Sequence, residues 1–205
     1  MNPTLLAAII GGGTALVAAI IGGMITARAT TKATQRANEH TLRLEQQKHD
    51  DAVRGVLLGL RAEISTLWDI YSTEFGAVIE QLPEGEEFSY IYPLYQNYFT
   101  VYESNAHLFG LIPDDNLRQA IVATYLKARG LIDTHLYNNQ LIERLNTLQR
   151  LRDEIGNPNF DPQINAASAN LKDYSKWVKQ NYSEMKTLVA NLIEQIDKYV
   201  TRSKQ

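Results

Sequence analysis

Cysteine is absent from this chain of 205 residues. Thiol catalysis, cysteine-ligated zinc or iron–sulfur sites and disulfide bonds are therefore excluded, and the composition fits a reducing compartment. An excess of positive charge is absent too, because 20 lysines and arginines stand against 23 acidic residues, for a formal net charge of −3. Since general nucleic-acid binding needs a positive field, we expect no nucleic-acid partner.

Motifs of the common catalytic sites are missing as well. The sequence has no GxxxxGKS or GxxxxGKT loop, no GxGxxG after a predicted strand and no GxSxG turn. Glu103 with His107, and Glu45 with His49, have the i, i+4 spacing of one helical face, but neither pair belongs to an HExxH or ExxH motif. We therefore predict a protein that is not an enzyme and that uses no metal or cofactor.

A long hydrophobic run is present at the start of the chain. Residues 5–25, LLAAIIGGGTALVAAIIGGMI, contain no charged side chain. A helix of this length is about 32 Å long and matches a hydrocarbon core of about 30 Å. The run is longer than the apolar core of a signal peptide and follows no basic segment, so retention is favoured over cleavage. We predict a transmembrane anchor over residues 1–27.

The charges beside this run predict its orientation. Arg28, Lys32 and Arg36 follow the run with no acidic residue before Glu39, whereas the N-terminal flank has only its α-amino group. Because basic flanks remain on the cytoplasmic side, we expect a single-pass protein of the cytoplasmic (inner) membrane. Its N-terminus would lie outside and its remaining chain in the cytoplasm, with membrane lipid as a partner.

Small residues recur at every fourth position of the anchor: Ala7, Gly11, Ala15, Ala19 and Gly23. In lipid, close backbone approach along such a stripe is a main route to helix association. The stripe therefore predicts a homo-oligomer. The alternative is that alanine and glycine are simply common in membrane helices.

The rest of the chain predicts an all-α fold, because no alternation typical of strands is sustained. Residues 28–52 contain neither glycine nor proline and read as a helical stalk. Residues 53–205 predict an antiparallel bundle of about three long helices with a short aromatic-rich helical segment. Helix starts are expected at Asp114 and at Asp161-Pro162.

Apolar spacings of three and four predict which side chains form the core. In the first bundle helix the series has one seven-residue step, which passes over Glu74. The predicted core residues of the three helices are Val53, Leu57, Leu60, Ile64, Leu67, Tyr71, Val78 and Leu82; Leu117, Ile121, Tyr125, Ala128, Ile132, Leu136, Ile142, Leu145 and Leu148; and Ile164, Ala167, Leu171, Tyr174, Val178, Met185, Leu188, Leu192 and Tyr199.

Aromatic residues are concentrated in the segment 88–112, FSYIYPLYQNYFTVYESNAHLFGLI. Tyrosine combines apolar area with one polar group, which suits a core edge, a partner interface or a ligand site. One interpretation is a short helix that closes the bundle. The other is an interaction or ligand site, for which the candidate residues are Tyr95, Tyr98, Tyr102, Glu103, Asn105 and His107.

Within residues 101–133 the sequence has Tyr102-Glu103-Ser104-Asn105, then Phe109-Gly110-Leu111-Ile112, then Tyr125 with Lys127. In this order the chain resembles uncharacterised bacterial single-pass membrane-anchored α-helical proteins, over about a sixth of its length. The resemblance implies no reaction. It implies a structural signature formed by Tyr102, Glu103, Asn105 and Gly110, and some proteins of this kind are suspected of roles in phage defence.

Three functional hypotheses follow from the sequence. The first is a membrane-anchored interaction or scaffold module that self-associates and binds a protein partner at the cytoplasmic face. The second is a membrane-perturbing effector, pore-forming or of a phage-defence type, although Thr14 alone cannot line an aqueous path. The third is a ligand-binding sensor that uses the aromatic segment 88–112.

Overall fold

The structure, a computed structural model, describes residues 3–93 and 97–202, with side chains from residue 30 onward. No strand occurs in this described part, which confirms the all-α fold class. In chain order the elements are α1 (Pro3–Tyr71), a π-helical turn (Ser72–Gly76), α2 (Ala77–Gln81), α3 (Thr100–Asn105), a 3-10 turn (Ala106–Leu111), α4 (Asp115–Ile155), a second 3-10 turn (Pro158–Phe160) and α5 (Asp161–Arg202).

The chain divides into two compact units, of which the first comprises residues 1–51. From residue 30 to residue 51 its side chains are exposed, Lys32 and Arg36 among them, except for the half-buried His49. Such exposure is typical of a helix that is polar on all sides. The predicted anchor lies outside the residues whose side chains are described, as do its small residues and the first basic residue: Ala7, Gly11, Ala15, Ala19, Gly23 and Arg28.

A search of the described residues finds no helix with both the length and the apolar character needed to cross a bilayer.

The second unit, residues 52–205, corresponds to the predicted bundle of residues 53–205. Its core is built by the long helices, and the apolar face predicted for α1 is buried at Val53, Leu57, Leu60, Ile64 and Tyr71. Burial of such side chains contributes roughly 1.5–3 kcal/mol each, so this face holds α1 against α4 and α5. A helical bundle is therefore confirmed.

Helices α1 and α4 run in the same direction. The hydroxyl oxygen of Tyr125 lies 3.3 Å from the backbone oxygen of Leu60, and further along both helices the hydroxyl group of Tyr71 is hydrogen-bonded to His135. The prediction of an antiparallel bundle is therefore only partly right. Two parallel helices need a long return connection, and residues 82–114 supply it.

Helix α5 runs antiparallel to α1. Arg61 near the middle of the second unit's part of α1 forms an ion pair with Asp197, at 2.6 Å, close to the end of α5. Glu80 of α2, which continues the direction of the chain, accepts a hydrogen bond at 3.0 Å from Tyr182, which precedes Asp197 in α5. Buried residues of α5 follow spacings of four and three without interruption: Leu171, Ser175, Val178, Tyr182, Met185, Val189, Leu192 and Ile196. This heptad pattern is typical of helices that pack at a shallow angle.

Local signals set where the helices begin and end, and α4 and α5 begin at or beside the predicted starts. Asp114 is the N-cap of α4, and its carboxylate accepts hydrogen bonds from the backbone N–H groups of Asn116 and Leu117. Gly156 ends α4 in the left-handed conformation, with φ of 66°, which glycine adopts without steric cost. Helix α5 already includes Asp161, so this residue does not cap it from outside. Asn157 caps the preceding 3-10 turn, where its side-chain oxygen accepts a hydrogen bond from the backbone N–H of Asn159.

The aromatic-rich segment is only partly helical. Helix α3 and the following 3-10 turn cover residues 100–111, but no helix forms in the described part of residues 82–99. The predicted short helix therefore begins later than the aromatic cluster does.

Candidate ligand site

A stretch of chain outside the helices, residues 86–93, lies against α4 and α5 and is held there by polar side chains. The backbone N–H of Phe88 donates to Ser175 Oγ at 2.7 Å, and Asn138 Nδ2 donates to the backbone oxygen of Phe88 at 3.1 Å. The side-chain amide of Asn139 pairs with both backbone groups of Tyr92, at 3.0 and 2.8 Å. These side chains supply the hydrogen bonds that a backbone outside helices and strands otherwise lacks.

A π-helical turn, Ser72–Gly76, separates α1 from α2. A π turn adds a residue to the helical repeat, and such turns are frequent at functional sites. A Cβ atom at Gly76 would lie 2.7 Å from the hydroxyl oxygen of Tyr182, so a larger residue here would displace the end of that side chain. The turn carries Phe75, whose ring meets Tyr92 edge-on at 4.8 Å between centroids.

His135 of α4 lies at the centre of this aromatic region and is 1% exposed. Its Nε2 atom is 2.7 Å from the hydroxyl oxygen of Tyr71, and its ring stacks on Tyr92 at 4.8 Å. The rings of Phe75 and Phe88 also contact it. Burial lowers the pKa of His135 from 6.5 to about 4, so the ring is neutral at pH 7.

Two buried polar atoms in this region lack hydrogen-bond partners within the described structure: His135 Nδ1 and Asn138 Oδ1. A buried polar group without a partner costs about 1–3 kcal/mol, and native structures contain few of them. Burial also raises the pKa of the Tyr71 hydroxyl, so this partner of His135 stays protonated.

His135 and Tyr71 line a cavity of about 300 Å³ inside the second unit. This volume is at the lower end of the range of about 300–1,000 Å³ that is typical of ligand pockets. Ile70, which is 52% exposed, and the exposed Glu74 and Pro93 belong to its lining, so the cavity reaches the surface. The other described lining residues are Ile64, Leu67, Trp68, Tyr92, Tyr98, Phe99, Ala128, Leu131, Ile132 and Met185.

The cavity can hold a small apolar molecule but offers little to a charged one. Apart from His135 and the exposed Glu74, its described walls are aliphatic and aromatic, and His135 is neutral at pH 7. No group of three or more metal-ligating side chains occurs in the part of the chain that the structure describes. The arrangement therefore fits the usual form of a ligand pocket, an apolar space with very few convergent polar groups.

The structure does not bring the predicted site residues into one cluster. Tyr98 lines the cavity, whereas Tyr102 stacks on Tyr125 at 4.2 Å, away from it. Glu103 pairs with Arg129 at 2.7 Å, and both side chains are exposed.

The remaining candidates are also apart from the cavity. Asn105 donates to the backbone oxygen of Val101 at 2.8 Å, as a turn-forming asparagine does. His107 is exposed to solvent, and Tyr95 lies outside the described residues.

Sequence reasoning missed His135 as the central polar residue of the site. Leu136, predicted to face the core, is 45% exposed, while His135 and Asn138 are buried in its place. A signal was present, because steps of three and four from Ala128 to Ile142 pass through Leu131, His135 and Asn138. Because the core was predicted from apolar side chains alone, Leu136 was placed on the buried face of this turn instead of His135.

In comparisons with known proteins, no family model, no curated protein and no solved structure matches this chain.

Proposed function

We propose that this chain is a membrane-tethered helical module that binds a small apolar ligand in the cavity beside His135. The observation that carries the proposal is the cavity itself, about 300 Å³ in volume and bordered by a buried histidine with an unpartnered nitrogen. At this one place the side chains leave a space unfilled, and a buried nitrogen has no described hydrogen-bond partner. Both features are expected of a binding site and are costly in a purely structural core.

Membrane attachment is the second component of the proposal. It rests on the uncharged run at residues 5–25 and on the basic residues Arg28, Lys32 and Arg36 that follow it. A bundle tethered in this way remains close to lipid, where apolar molecules concentrate. The tether would therefore raise the supply of ligand to the cavity.

Filling the cavity should abolish ligand binding. Ala128 is buried and lines the cavity, so an Ala128→Leu side chain would occupy the space that a ligand needs. With toluene as the probe and the full chain in lipid nanodiscs, we expect stabilisation of wild type by about 1.4 kcal/mol at ten times the dissociation constant. We expect none in Ala128→Leu, with thermal unfolding followed by circular dichroism.

The matched control is Ala123→Leu, which adds the same atoms to an exposed position of the same helix. This variant should retain the stabilisation by toluene. Equal stabilisation of both variants, or no stabilisation of wild type, would contradict the proposal.

Self-association of the anchor is a second candidate function, favoured by the stripe of small residues at every fourth position. Replacing Gly11 and Ala15 together by leucine should reduce the mass of the detergent-solubilised protein, because bulky side chains prevent close backbone approach. Replacing Gly13 and Val17 by leucine, on the opposite face of a helix, is the control. An unchanged mass in the Gly11 and Ala15 variant would show that the stripe has no such role.

A further inference from the structure

The mouth of the cavity carries a negative charge. Glu74 is exposed there, together with Ile70 and Pro93, and no lysine or arginine occurs among the described lining residues. Glu80, on the adjacent helix α2, pairs with Lys186 at 2.7 Å. Within the described residues Glu74 forms no such ion pair, so its carboxylate is available to a positively charged group of a ligand.

The charge of the surrounding chain has the same sign. Residues 62–117 contain ten acidic residues and no lysine or arginine, whereas the remainder has 20 basic and 13 acidic residues. Two thirds of the described lining residues, from Ile64 to Phe99, belong to this acidic stretch. Described ion pairs offset three of its charges, at Glu80, Glu103 and Asp115. An excess of one sign around an apolar cleft raises the local concentration of the opposite charge, so cations are favoured over anions.

The walls also suit a cation that is attached to an apolar body. Trp68, Tyr92 and Tyr98 contribute rings to the lining, and the faces of such rings attract ammonium groups. The interior has no charged partner, because His135 is neutral, and an unpaired charge is costly to bury. The charged group of a ligand would therefore remain at the mouth, and only its apolar body would enter.

We propose that the cavity binds organic amines, with an apolar or aromatic body inside the cavity and one ammonium group at the mouth beside Glu74. This inference rests on the proposed ligand-binding function and specifies its ligand class. The carboxylate and the aromatic rings recognise the positive charge, and the aliphatic interior recognises the body.

The test compares phenethylamine, which is positively charged at pH 7, with propylbenzene, a neutral molecule of the same heavy-atom number. Dissociation constants are measured for the full chain in nanodiscs of phosphatidylcholine, which has no net charge. The preference for phenethylamine over propylbenzene should fall about threefold in Glu74→Gln, the change expected of a partly exposed ion pair.

The matched control is Glu84→Gln, which removes the same charge from an exposed position of the acidic stretch that does not line the cavity. This variant should retain the preference of wild type. An unchanged preference in Glu74→Gln, or an equal fall in both variants, would overturn the inference.

A second measurement needs no variant. Phenylacetate has the same ring with a negative charge, and it should bind wild type about tenfold more weakly than phenethylamine, because attraction at the mouth is replaced by repulsion. Equal affinities for the two ions would overturn the charge preference, and binding of propylbenzene would then leave the ligand-binding function intact. If none of the three molecules binds, the proposed function and this inference both fail.

Discussion

Replacing Glu63 with alanine should lower the free energy of unfolding by about 3 kcal/mol, since hydrogen bonds to a charged group contribute about 1.5–3 kcal/mol and several are lost here. The carboxylate of Glu63 accepts from the backbone N–H groups of Val101 at 2.6 Å and Tyr102 at 3.1 Å. It also accepts from the hydroxyl group of Tyr125 at 3.0 Å. Urea unfolding of the full chain, followed by the fluorescence of Trp68, measures the loss.

The size of this effect comes from the position of Glu63 between two helices. The first N–H groups of any helix lack partners within the helix, and Phe99, the residue before α3, has no side-chain acceptor for them. Glu63 of α1 serves as the cap from another part of the chain. Its loss would leave both the end of α3 and the buried hydroxyl of Tyr125 with fewer acceptors.

Glu103→Ala is the matched control for this prediction. The carboxylate of Glu103 also has a partner in another helix, because it forms an ion pair with Arg129, but both of these side chains are exposed to solvent. Exposed pairs contribute about 0–1 kcal/mol, so this variant should lose little stability. Equal losses in the two variants would show that Glu63 contributes no more than an ordinary surface charge.

Stability should fall by about 2 kcal/mol between pH 7 and pH 5 because of His135 alone. The pKa of this histidine is lowered from 6.5 to about 4 in the folded state by burial, so the unfolded chain takes up a proton first. The stabilising contribution is therefore fully present above about pH 6.5 and is lost progressively as the pH falls toward 4. Urea unfolding at pH 7, 6 and 5 measures this trend.

A comparison with His135→Gln separates the pH dependence of stability that comes from His135 from the pH dependence that comes from carboxylates elsewhere in the chain. Glutamine can still form a hydrogen bond with Tyr71 but does not titrate. The titratable groups that contact His135 in the described structure are the phenols of Tyr71 on α1 and Tyr92 on the return segment, and the pKa of Tyr71 is raised. The free-energy difference between wild type and variant should therefore change with pH, and parallel curves would contradict the assignment.

The helices and their ends were accessible from the sequence because they depend on local chemistry. Asp114 and Gly156 have the side-chain acceptor and the backbone freedom that a helix start and a helix end require. The seven-residue step over Glu74 also marked the place where the π-helical turn at Ser72–Gly76 interrupts the regular repeat of α1. Its physical origin was visible only with the structure.

The cavity was not accessible in the same way, because it depends on contacts between distant parts of the chain. His135 and Asn138 are polar, and periodicity arguments place polar side chains toward solvent. Their burial is explained by Tyr71, 64 residues earlier, and by the backbone of Phe88, 50 residues earlier. The direction of α4 likewise depends on the long return segment, whose backbone hydrogen bonds come from side chains of other helices.

The attachment of that return segment has a consequence for local unfolding. The backbone of Phe88 and Tyr92 is held by three side chains, Ser175, Asn138 and Asn139, whereas each long helix is held by its own ladder of hydrogen bonds. Regions with fewer cooperative contacts open at a lower free energy than the global fold. Because Tyr92 forms one wall of the cavity, we expect this wall to open locally while the long helices remain folded.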